Sequence, residues 1–517
     1  MTDHSQADPA DSDPGEPSGR LNARLEAVQL DPLQSPLLRE VLPGLPTAFD
    51  ESAMRECLQN ALLGTQRPGA WIERCELDQA TYLPGAGCVL RYQLDVRATA
   101  DGPLLPSLLT ARVFPDLPTC AAYVRDRLQP LVELARGRPE LAPFAAPVAL
   151  IEPLRMAVSV FPIDGELPTL IGATDEQRML DVFRETLPAA LEQRFTPETC
   201  RVEMVDYGRQ RRCTLRYTIE GTTDGVGPFR QVVYGKITAD DSGALAGPMI
   251  AALREHLAQH PETYQFNIPR SFGWRPELQL ALLEALPGEP QLGDALKARL
   301  RGTPAHPDGL LLEKLIEDCA SIAAVLHTSG IGLGPRRTLG DELAALQQGT
   351  TYVQQVSPAL GARLQGWLKR IAPYAASVAA LGLCFSHGDF TYGQLIFDGV
   401  TSGLVDFDSI CQAEPALDLG HFLVYLQIAS LKAKKSRPAE TNALIEQLSE
   451  RFLSAYTTAS GAEPEEAARL RDRVPVYRLV SLLRRVLRSW QKFKVSRIES
   501  AVDVLEEEIS CLPPPKD

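Results

Sequence analysis

A repeated segment restricts the fold of this chain more than any other feature of its sequence. The stretch YLPGAGCVLRY at 82–92 and the stretch YGRQRRCTLRY at 207–217 share a tyrosine, a cysteine and a Leu-Arg-Tyr ending, all at an offset of 125 residues. Self-similarity at a fixed spacing is typical of a duplicated structural unit. The alternative is that similar β-hairpins recur independently, and the regularity of the match favours duplication.

Each copy continues in the same way. A loop rich in Gly, Asp and Pro leads to an apolar strand, LLTARVF at 108–114 and VVYGKIT at 232–238. An amphipathic helical stretch follows, at 120–135 and 248–259, and two short strands close each unit before a segment containing Pro and Gly. The sequence therefore predicts two units, each with two hairpin strands, a third strand, a helix and two further strands.

The pattern changes to helical periodicity at about Gly293. It predicts helices at 311–331, 341–380, 417–431, 440–460 and 472–509, with a polar strand pair at 381–407 between them. We therefore predict an α+β chain of four parts: a disordered tail at 1–20, a first β-rich unit at 21–190, a second at 191–292 and a helical region at 293–517.

The composition excludes several classes of protein. The net charge is −14, and an acidic chain lacks the basic surface that nucleic-acid phosphates require, so we expect no nucleic-acid partner. No stretch reaches the roughly 18 apolar residues of a membrane span, so we expect no membrane association. Ten cysteines without a Cys-x-x-Cys pair, on a chain without an apolar signal segment, predict reduced thiols and a cytoplasmic location.

Polar residues between apolar runs mark the candidate active site. In SHGDFTYGQLIF at 386–397, His387 and Asp389 follow one strand-like run and Gln394 precedes the next, and Asp406 ends the run GLVDF. Phosphoryl transfer from a nucleotide requires a carboxylate at the acceptor hydroxyl and oxygen ligands for magnesium. Asp389 can supply the first, and Gln394 and Asp406 can supply the second.

A cation for the phosphates of the donor is the third requirement. Lys236 lies on the third strand of the second copy, and Glu255 in the following helix is expected to pair with it. A lysine on a strand is most often solvent-exposed, so only its place in the repeated unit favours this role.

The order of these motifs resembles that of the aminoglycoside phosphotransferase and choline kinase superfamily. The family pattern is H-G-D-x-x-x-x-N, then I-D-[FW], then D-P-x-x-D-L-[AG]. This chain has HGD at 387–389 with Gln394, VDF at 405–407 and EPALDLG at 414–420. The resemblance covers about 200–490, and the Gln in place of Asn is similar to maltokinase-like members.

The resemblance implies a role for each matching residue. Asp389 would be the catalytic base, His387 would brace the catalytic loop, and Asp418 would hold that loop through backbone N–H groups. The implied magnesium ligands are Gln394 and Asp406, and Asp408, two residues further on the same face of the strand, could share the metal or replace Asp406. The expected nucleotide-binding residues are Lys236, Glu255, Arg211, Arg212, Glu284 and Leu286.

The fold implied by the resemblance is a protein-kinase-like bilobal fold with a duplicated β-rich N-lobe-like unit and a mostly helical C-lobe. No G-x-G-x-x-G phosphate loop occurs in either copy. The second copy has GRQRRC in its place, where Arg209, Arg211 or Arg212 could substitute charge for backbone N–H donors. The alternative is that these arginines form an exposed turn.

These observations favour an ATP-dependent small-molecule kinase that uses Mg²⁺ and phosphorylates a hydroxyl of a sugar, an aminoglycoside-like compound or an amino alcohol. The alternative is a pseudokinase or nucleotide-binding regulatory protein, which the doubled unit and the missing glycine loop favour. A protein kinase is a third reading, without an A-P-E-like motif after Asp406. The first copy has Arg112 where the second has Lys236. We expect the first repeated unit to cap the substrate cleft, to bind a regulator or to form a homodimer.

Overall fold

The computed structural model describes residues 30–512 except 65–68, 100, 192–194, 209–210, 224–226, 262–265, 304–311 and 435. The tail predicted at 1–20 and the arginine at 209 lie outside the described residues. Within that part of the chain, none of the helices is both long and apolar enough to cross a membrane.

The first unit is built around a five-stranded antiparallel sheet. Helices α1 to α3 precede it, and α4 and α5 lie between its third and fourth strands. The helices are α1 (Pro36–Val41), α2 (Leu45–Ala48), α3 (Glu51–Leu58), α4 (Leu117–Tyr123) and α5 (Gln129–Leu134). The strands are β1 (Trp71–Leu83), β2 (Gly87–Arg97), β3 (Leu104–Val113), β4 (Val148–Ile151) and β5 (Met156–Val160), in the order β1-β2-β3-β5-β4.

The second unit repeats this topology. Its helices are α6 (Leu170–Ala173), α7 (Glu176–Leu191) and α8 (Ala246–Gln259). Its strands are β6 (Phe195–Tyr207), β7 (Arg212–Thr223), β8 (Gly227–Thr238), β10 (Ser271–Arg275) and β11 (Leu280–Glu284), in the order β6-β7-β8-β11-β10. The short strand β9 (Phe266–Asn267) belongs to a different sheet. The two sheets have the same order, so the predicted duplication is confirmed.

Equivalent hydrogen bonds show that the repeated unit begins upstream of the strands. The hydroxyl of Tyr92 donates to the carbonyl of Ala48 at 2.5 Å, and the hydroxyl of Tyr217 donates to the carbonyl of Ala173 at 2.9 Å. Both pairs are 44 residues apart and are related by the same offset as the sequence repeat. Each sheet is therefore attached to a preceding short helix that the sequence did not reveal.

The register of the sheets also places Arg112 and Lys236 at equivalent positions. Arg112 lies opposite Val89 on β2, and Lys236 lies opposite Thr214 on β7. On their other sides, both residues face an alanine of the neighbouring short strand. The predicted correspondence is confirmed.

The C-terminal region is mostly helical. Its helices are α9 (Leu292–Arg301), α10 (Leu312–Thr328), α11 (Leu339–Val356), α12 (Pro358–Ser377), α13 (Ala416–Lys434), α14 (Pro438–Ser460), α15 (Pro464–Gln491) and α16 (Val495–Ser510). The predicted fold class, α+β with two β-rich units and a helical C-terminal region, is confirmed.

Two predicted helices are each divided in the structure. The helix at 341–380 is α11 and α12, because Pro358 starts a new helix where it removes no intrahelical hydrogen bond. The helix at 472–509 is α15 and α16, because Phe493 has a φ of 55° between them. Its ring packs 4.9 Å from the ring of Phe49 in the first unit, a tertiary contact at the point where the helix ends.

The predicted pairing of the polar strands is wrong. Strand β12 (Cys384–Ser386) pairs with β15 (Cys411–Ala413), whereas β13 (Leu395–Phe397) pairs with β14 (Ser402–Leu404), which also meets β9. The chain leaves β12 at His387 because the backbone N–H groups of His387 and Gly388 donate to Asp418 instead of to a neighbouring strand. Residues 387–394 therefore form a loop between two small sheets.

Candidate active site

The buried carboxylate of Asp418, in the first turn of α13, holds the loop at 387–394. It accepts hydrogen bonds from the backbone N–H groups of His387 at 2.6 Å and Gly388 at 2.8 Å, and from Nε2 of His327 at 3.1 Å. Burial alone would raise the pKa of Asp418, but the bond and charge of His327 outweigh it, and the pKa is lowered. The predicted role of Asp418 in holding the loop is confirmed.

Two features of the loop itself fix its shape. Gly388 has a φ of 78°, and a Cβ there would lie 2.1 Å from the carbonyl oxygen of Ser409, so only glycine fits. Nε2 of His387 lies 3.1 Å from the carbonyl oxygen of Val405, the residue before Asp406. His387 therefore ties the loop to the strand end that carries Asp406, in agreement with the predicted bracing role.

Asp389 is positioned by a histidine that the sequence did not identify. Nε2 of His421 donates to Oδ1 of Asp389 at 3.1 Å, and Nδ1 of His421 lies 3.1 Å from the hydroxyl of Ser481. Burial raises the pKa of Asp389, but His421 and more distant positive groups lower it by a larger amount. The net pKa is below the usual value, so the carboxylate is ionised at neutral pH. The sequence offers one indication of this position: His421 follows Asp418 by three residues, so the two side chains lie on the same face of the helix.

Lys236 lies between two carboxylates, Asp406 and Asp408. Its Nζ is 2.5 Å from Oδ1 of Asp406 and 2.9 Å from Oδ1 of Asp408, and its side chain is 17% exposed. Burial lowers the pKa of Lys236 and the two carboxylates raise it, with a net increase. Burial likewise raises the pKa of Asp406, but Lys236 lowers it by more. Asp406 also has a φ of 69°, which is costly for a residue with a side chain.

The predicted pairing of Lys236 with Glu255 is wrong. Glu255 is exposed on α8 and accepts only a long hydrogen bond, 3.4 Å, from Gln259. The buried face of α8 is formed by Met249, Ile250 and Leu253, and a position two residues beyond Leu253 faces away from that side. The charge of Lys236 is balanced by Asp406 and Asp408 instead.

Gln394 lies next to Asp406, but its amide nitrogen, not its amide oxygen, faces the carboxylate. Nε2 of Gln394 donates to Oδ2 of Asp406 at 3.1 Å, while Oε1 of Gln394 accepts from the hydroxyl of Thr391 at 2.7 Å. A metal ligand must present the oxygen, so Gln394 would have to exchange the two ends of its amide to serve as one.

The two carboxylates next to Lys236 suit a magnesium ion better. Asp406 and Asp408 each direct one oxygen to the ammonium group of Lys236. The two carboxylates therefore already hold a cation at this position. Within the described ranges no cluster of three or more His, Cys, Asp or Glu could hold a metal. Magnesium commonly takes only one or two carboxylates from protein, with water and phosphate oxygens completing its shell.

Lys236, Asp406 and Asp408 line a cavity of about 380 Å³ between the second sheet and the helical region, called here the lysine cavity. Glu284 and Leu286, the residues predicted at the nucleotide edge, line this cavity where β11 ends. The following segment is paired to β13, since Glu289 and Phe397 exchange backbone hydrogen bonds of 3.1 and 3.0 Å. Gly288 makes this approach possible, with a φ of 106°.

The two predicted arginines separate in the structure. Arg212 lines the lysine cavity, with Nη1 3.4 Å from Oδ2 of Asp408. Arg211 is directed elsewhere: its side chain is 61% exposed, lies 3.8 Å from Asp240 and lines a cavity of the first unit. Arg212 is the first residue of β7, whereas Arg211 lies in the bend before the strand.

A second cavity, of about 480 Å³, adjoins the first and is called here the arginine cavity. Asp389, Gly388 and His421 line it, and Arg212 lines both cavities. Asp389 and Asp406 therefore lie in neighbouring cavities that share one wall.

The equivalent cleft of the first unit is filled by the second unit. Its cavity is about 170 Å³ and includes Tyr207, whose hydroxyl contacts the carboxylate of Asp164 and lies 3.2 Å from the hydroxyl of Thr110. Arg112, the counterpart of Lys236, binds Glu166 at 2.9 Å. Among the described residues, Arg112 thus forms an ion pair with one carboxylate, whereas Lys236 forms ion pairs with two.

A comparison with protein families matches residues 239–471 to the phosphotransferase enzyme family, APH. The matched segment contains the loop at 387–394, both carboxylates of the lysine cavity and Asp418. The match does not distinguish maltokinase-like members from the rest. None of the curated proteins matches the chain.

Solved structures of similar fold include a glucosamine kinase, at 17% identity and a TM-score of 0.41, covering 85% of this chain and 94% of that one. The GDP and kanamycin complex of APH(2")-IIia has 15% identity and a TM-score of 0.40, covering 64% and 98%. A choline kinase from Cryptosporidium parvum Iowa II has 12% identity and a TM-score of 0.43, covering 65% and 94%.

Proposed function

We propose that this protein is an ATP-dependent phosphotransferase that moves the γ-phosphate to a hydroxyl group of a small molecule. The observation that carries the proposal is the arrangement of two adjoining cavities. One holds a lysine between two carboxylates, and the other holds an ionised aspartate with a histidine partner. The family match of the segment that supplies most of these groups supports the same reaction class.

In this proposal the lysine cavity binds the nucleotide. The apolar side chains of Leu286, Ile396 and Val405 line it at the base end, and Lys236 and Arg212 provide positive charge for the phosphates. Asp406 and Asp408 would hold Mg²⁺, which neutralises charge on the phosphate oxygens during transfer.

Asp389 then acts on the acceptor from the arginine cavity. It accepts the proton of the acceptor hydroxyl as that oxygen forms a bond to the γ-phosphorus, and the bond from this phosphorus to the β-phosphate oxygen breaks. His421 donates to one carboxylate oxygen and leaves the other for the acceptor. A carboxylate with a lowered pKa is a weak base, so its main contribution is to orient the hydroxyl.

We further propose a cytoplasmic location, supported by the ten cysteines, all of which are free thiols in the structure. Dimerisation through the first unit stays a prediction.

The test separates binding from chemistry. Binding of ADP with Mg²⁺ is measured by calorimetry, and slow ATP hydrolysis is measured with radiolabelled ATP. We expect Asp389→Asn to lower hydrolysis by about 100-fold or more while ADP affinity is retained, and Lys236→Met to weaken ADP binding by about tenfold or more. Asp398→Asn, at an exposed turn, is the matched control and should change neither. Nucleotide binding without hydrolysis in the unmodified protein would favour the regulatory alternative.

A further inference from the structure

The arginine cavity carries far more positive than negative charge. Helix α15 contributes Arg484, Arg485 and Arg488 to its lining. The turn after α15 and the start of α16 contribute Lys492, Lys494 and Arg497. Two more cations, Arg212 and Arg337, come from other elements, and Asp389 is the single carboxylate among the described lining residues.

This excess is not explained by the composition of the chain. The protein as a whole has a net charge of −14, so these cations are concentrated locally against the general trend. A cleft lined by one sign of charge focuses the electrostatic field and attracts small ions of the opposite sign. A volume of about 480 Å³ is that of a small-molecule site.

Internal ion pairs balance only part of the charge. Arg337 and Arg484 both contact the buried carboxylate of Glu342, which they share. Arg212 has Asp408 at 3.4 Å. In the described part of the chain, no carboxylate lies within 4.0 Å of Arg485, Lys494 or Arg497.

Arg485 gives a second, independent indication of a missing anion. Its guanidinium lies 5.1 Å from the centre of the Tyr425 ring, and its Nε is buried with no acceptor among the described residues. Buried donors in native proteins nearly always have a partner, so an orphaned one next to a cavity is typical of a ligand site. Burial lowers the pKa of the neighbouring Arg484, and the charges of Arg337 and Arg488 lower it further.

We propose that the acceptor of this phosphotransferase carries an anionic group, a phosphate or a carboxylate, on the same small molecule as the hydroxyl. The inference rests on the proposed function, because Asp389 has to meet the hydroxyl in the same cavity. Guanidinium groups bind phosphate and carboxylate through paired N–H donors, and α15 presents three of them in slightly more than one turn. A cationic acceptor, such as an aminoglycoside or an amino alcohol, would be repelled by the same groups.

The nucleotide does not account for these cations. Its phosphates are assigned to the lysine cavity, where Lys236 already supplies a positive charge, and only Arg212 lines both cavities. The remaining seven cations line the side on which Asp389 and His421 lie.

The binding test uses the full chain with saturating ADP and Mg²⁺, so that the nucleotide site is occupied. Inorganic phosphate is titrated as the probe by calorimetry. We expect it to bind, and we expect the double variant Arg485→Gln/Lys494→Gln to weaken it at least tenfold. Arg469→Gln, an exposed arginine on the same helix, is the control and should leave phosphate affinity unchanged. Unchanged melting temperature and ADP affinity verify that each variant is folded.

The acceptor test compares compounds that share hydroxyl groups and differ in charge: glucose, glucosamine, gluconate and glucose 6-phosphate. We expect the two anions to bind the ADP complex at least tenfold more tightly than glucose, with the better one identifying the preferred anion, and glucosamine to bind most weakly. The inference is overturned if phosphate does not bind, if the double variant binds it normally, or if glucose or glucosamine binds as tightly as the anions. Failure of ADP and Mg²⁺ to bind at all would instead refute the proposed function.

Discussion

Replacing Asp418 by asparagine tests whether one buried carboxylate holds the catalytic loop in place. Asp418 is fully buried and accepts three hydrogen bonds, from two consecutive backbone N–H groups and from His327. Asparagine has nearly the same shape but only one acceptor oxygen, and its amide nitrogen would face a donor. At least one backbone N–H of the loop would therefore be left buried without a partner.

The loss can be worked from these contacts. Hydrogen bonds to a charged group contribute about 1.5 to 3 kcal/mol each. Asp418→Asn replaces the acceptor of one bond (from Gly388) or of two (from His387 and His327) with a donor, and it removes the charge from those that remain. We expect a decrease of about 3 to 5 kcal/mol in the free energy of unfolding at pH 7, the range found when one partner of a buried ionic contact is removed.

The pH dependence gives a sharper form of the same prediction. The pKa of Asp418 is lowered in the folded protein, and in the unfolded chain it is about 3.9. Stability from this group is therefore fully present above the unfolded pKa and is lost as the pH falls through the folded pKa. The difference between the unmodified protein and Asp418→Asn should be constant from about pH 5 to 8 and should shrink in more acidic solution.

Urea unfolding followed by circular dichroism at 222 nm measures this difference, because the signal comes mainly from the helical region that contains Asp418. Asp398→Asn is the control: Asp398 also accepts two backbone N–H bonds, at 2.8 and 2.6 Å, but at an exposed turn where water and an asparagine oxygen can replace them. A difference below about 1 kcal/mol for Asp418→Asn, or one that does not change with pH, would refute the reasoning.

Two further predictions concern buried groups around this loop. Arg473 donates to both oxygens of Glu414, at 2.7 and 2.8 Å. We expect Arg473→Met to lower the free energy of unfolding, measured in urea titrations, by about 3 to 5 kcal/mol, because it leaves a buried carboxylate without its partner. Adding Glu414→Gln to the same chain should restore part of this loss. We expect Mg²⁺ to strengthen ADP binding, and Gln394→Asn should change the factor of this strengthening by no more than about tenfold. Gln394→Leu should reduce the factor more than Gln394→Asn does, because it removes the amide that would contact the metal. Equal effects of Asn and Leu in calorimetry would contradict a role for the amide.

The duplicated sheets could be predicted because strand pairing follows local patterns. Leu90 and Tyr92 are buried and alternate with less buried positions, as Leu215 and Tyr217 do, and this period-two alternation is present in each copy. The division between α15 and α16 could not be predicted in this way. No glycine or proline marks Phe493, and the residue adopts a positive φ where its ring packs on Phe49, a contact between distant parts of the chain.

The candidate site shows the same contrast. Asp389 and Asp406 could be found because their motifs occur in a fixed order along the chain, and Lys236 could be found from its place in the repeated unit. Spacing from Asp418 was the only sequence signal for His421, and its contact with Asp389 depends on the face that α13 presents to the loop. The expected pair of Lys236 with Glu255 was wrong because the rotational position of α8 is set by its buried side chains, which the approximate helix limits at 248–259 do not define.

The position of the first unit beside the arginine cavity suggests a structural role for it. Thr81 of β1 lines this cavity, the adjacent Tyr82 meets the ring of Trp490 edge to face at 5.8 Å, and Phe49 packs on Phe493. These contacts lie at the end of α15, in the turn that supplies Lys492 and Lys494 to the cavity. Holding several cations close together costs free energy, so the turn needs a rigid support. The first unit supplies that support through its apolar core, although its own cleft is filled by Tyr207. Under the proposed function, the first unit would therefore help to determine which acceptor the arginine cavity binds.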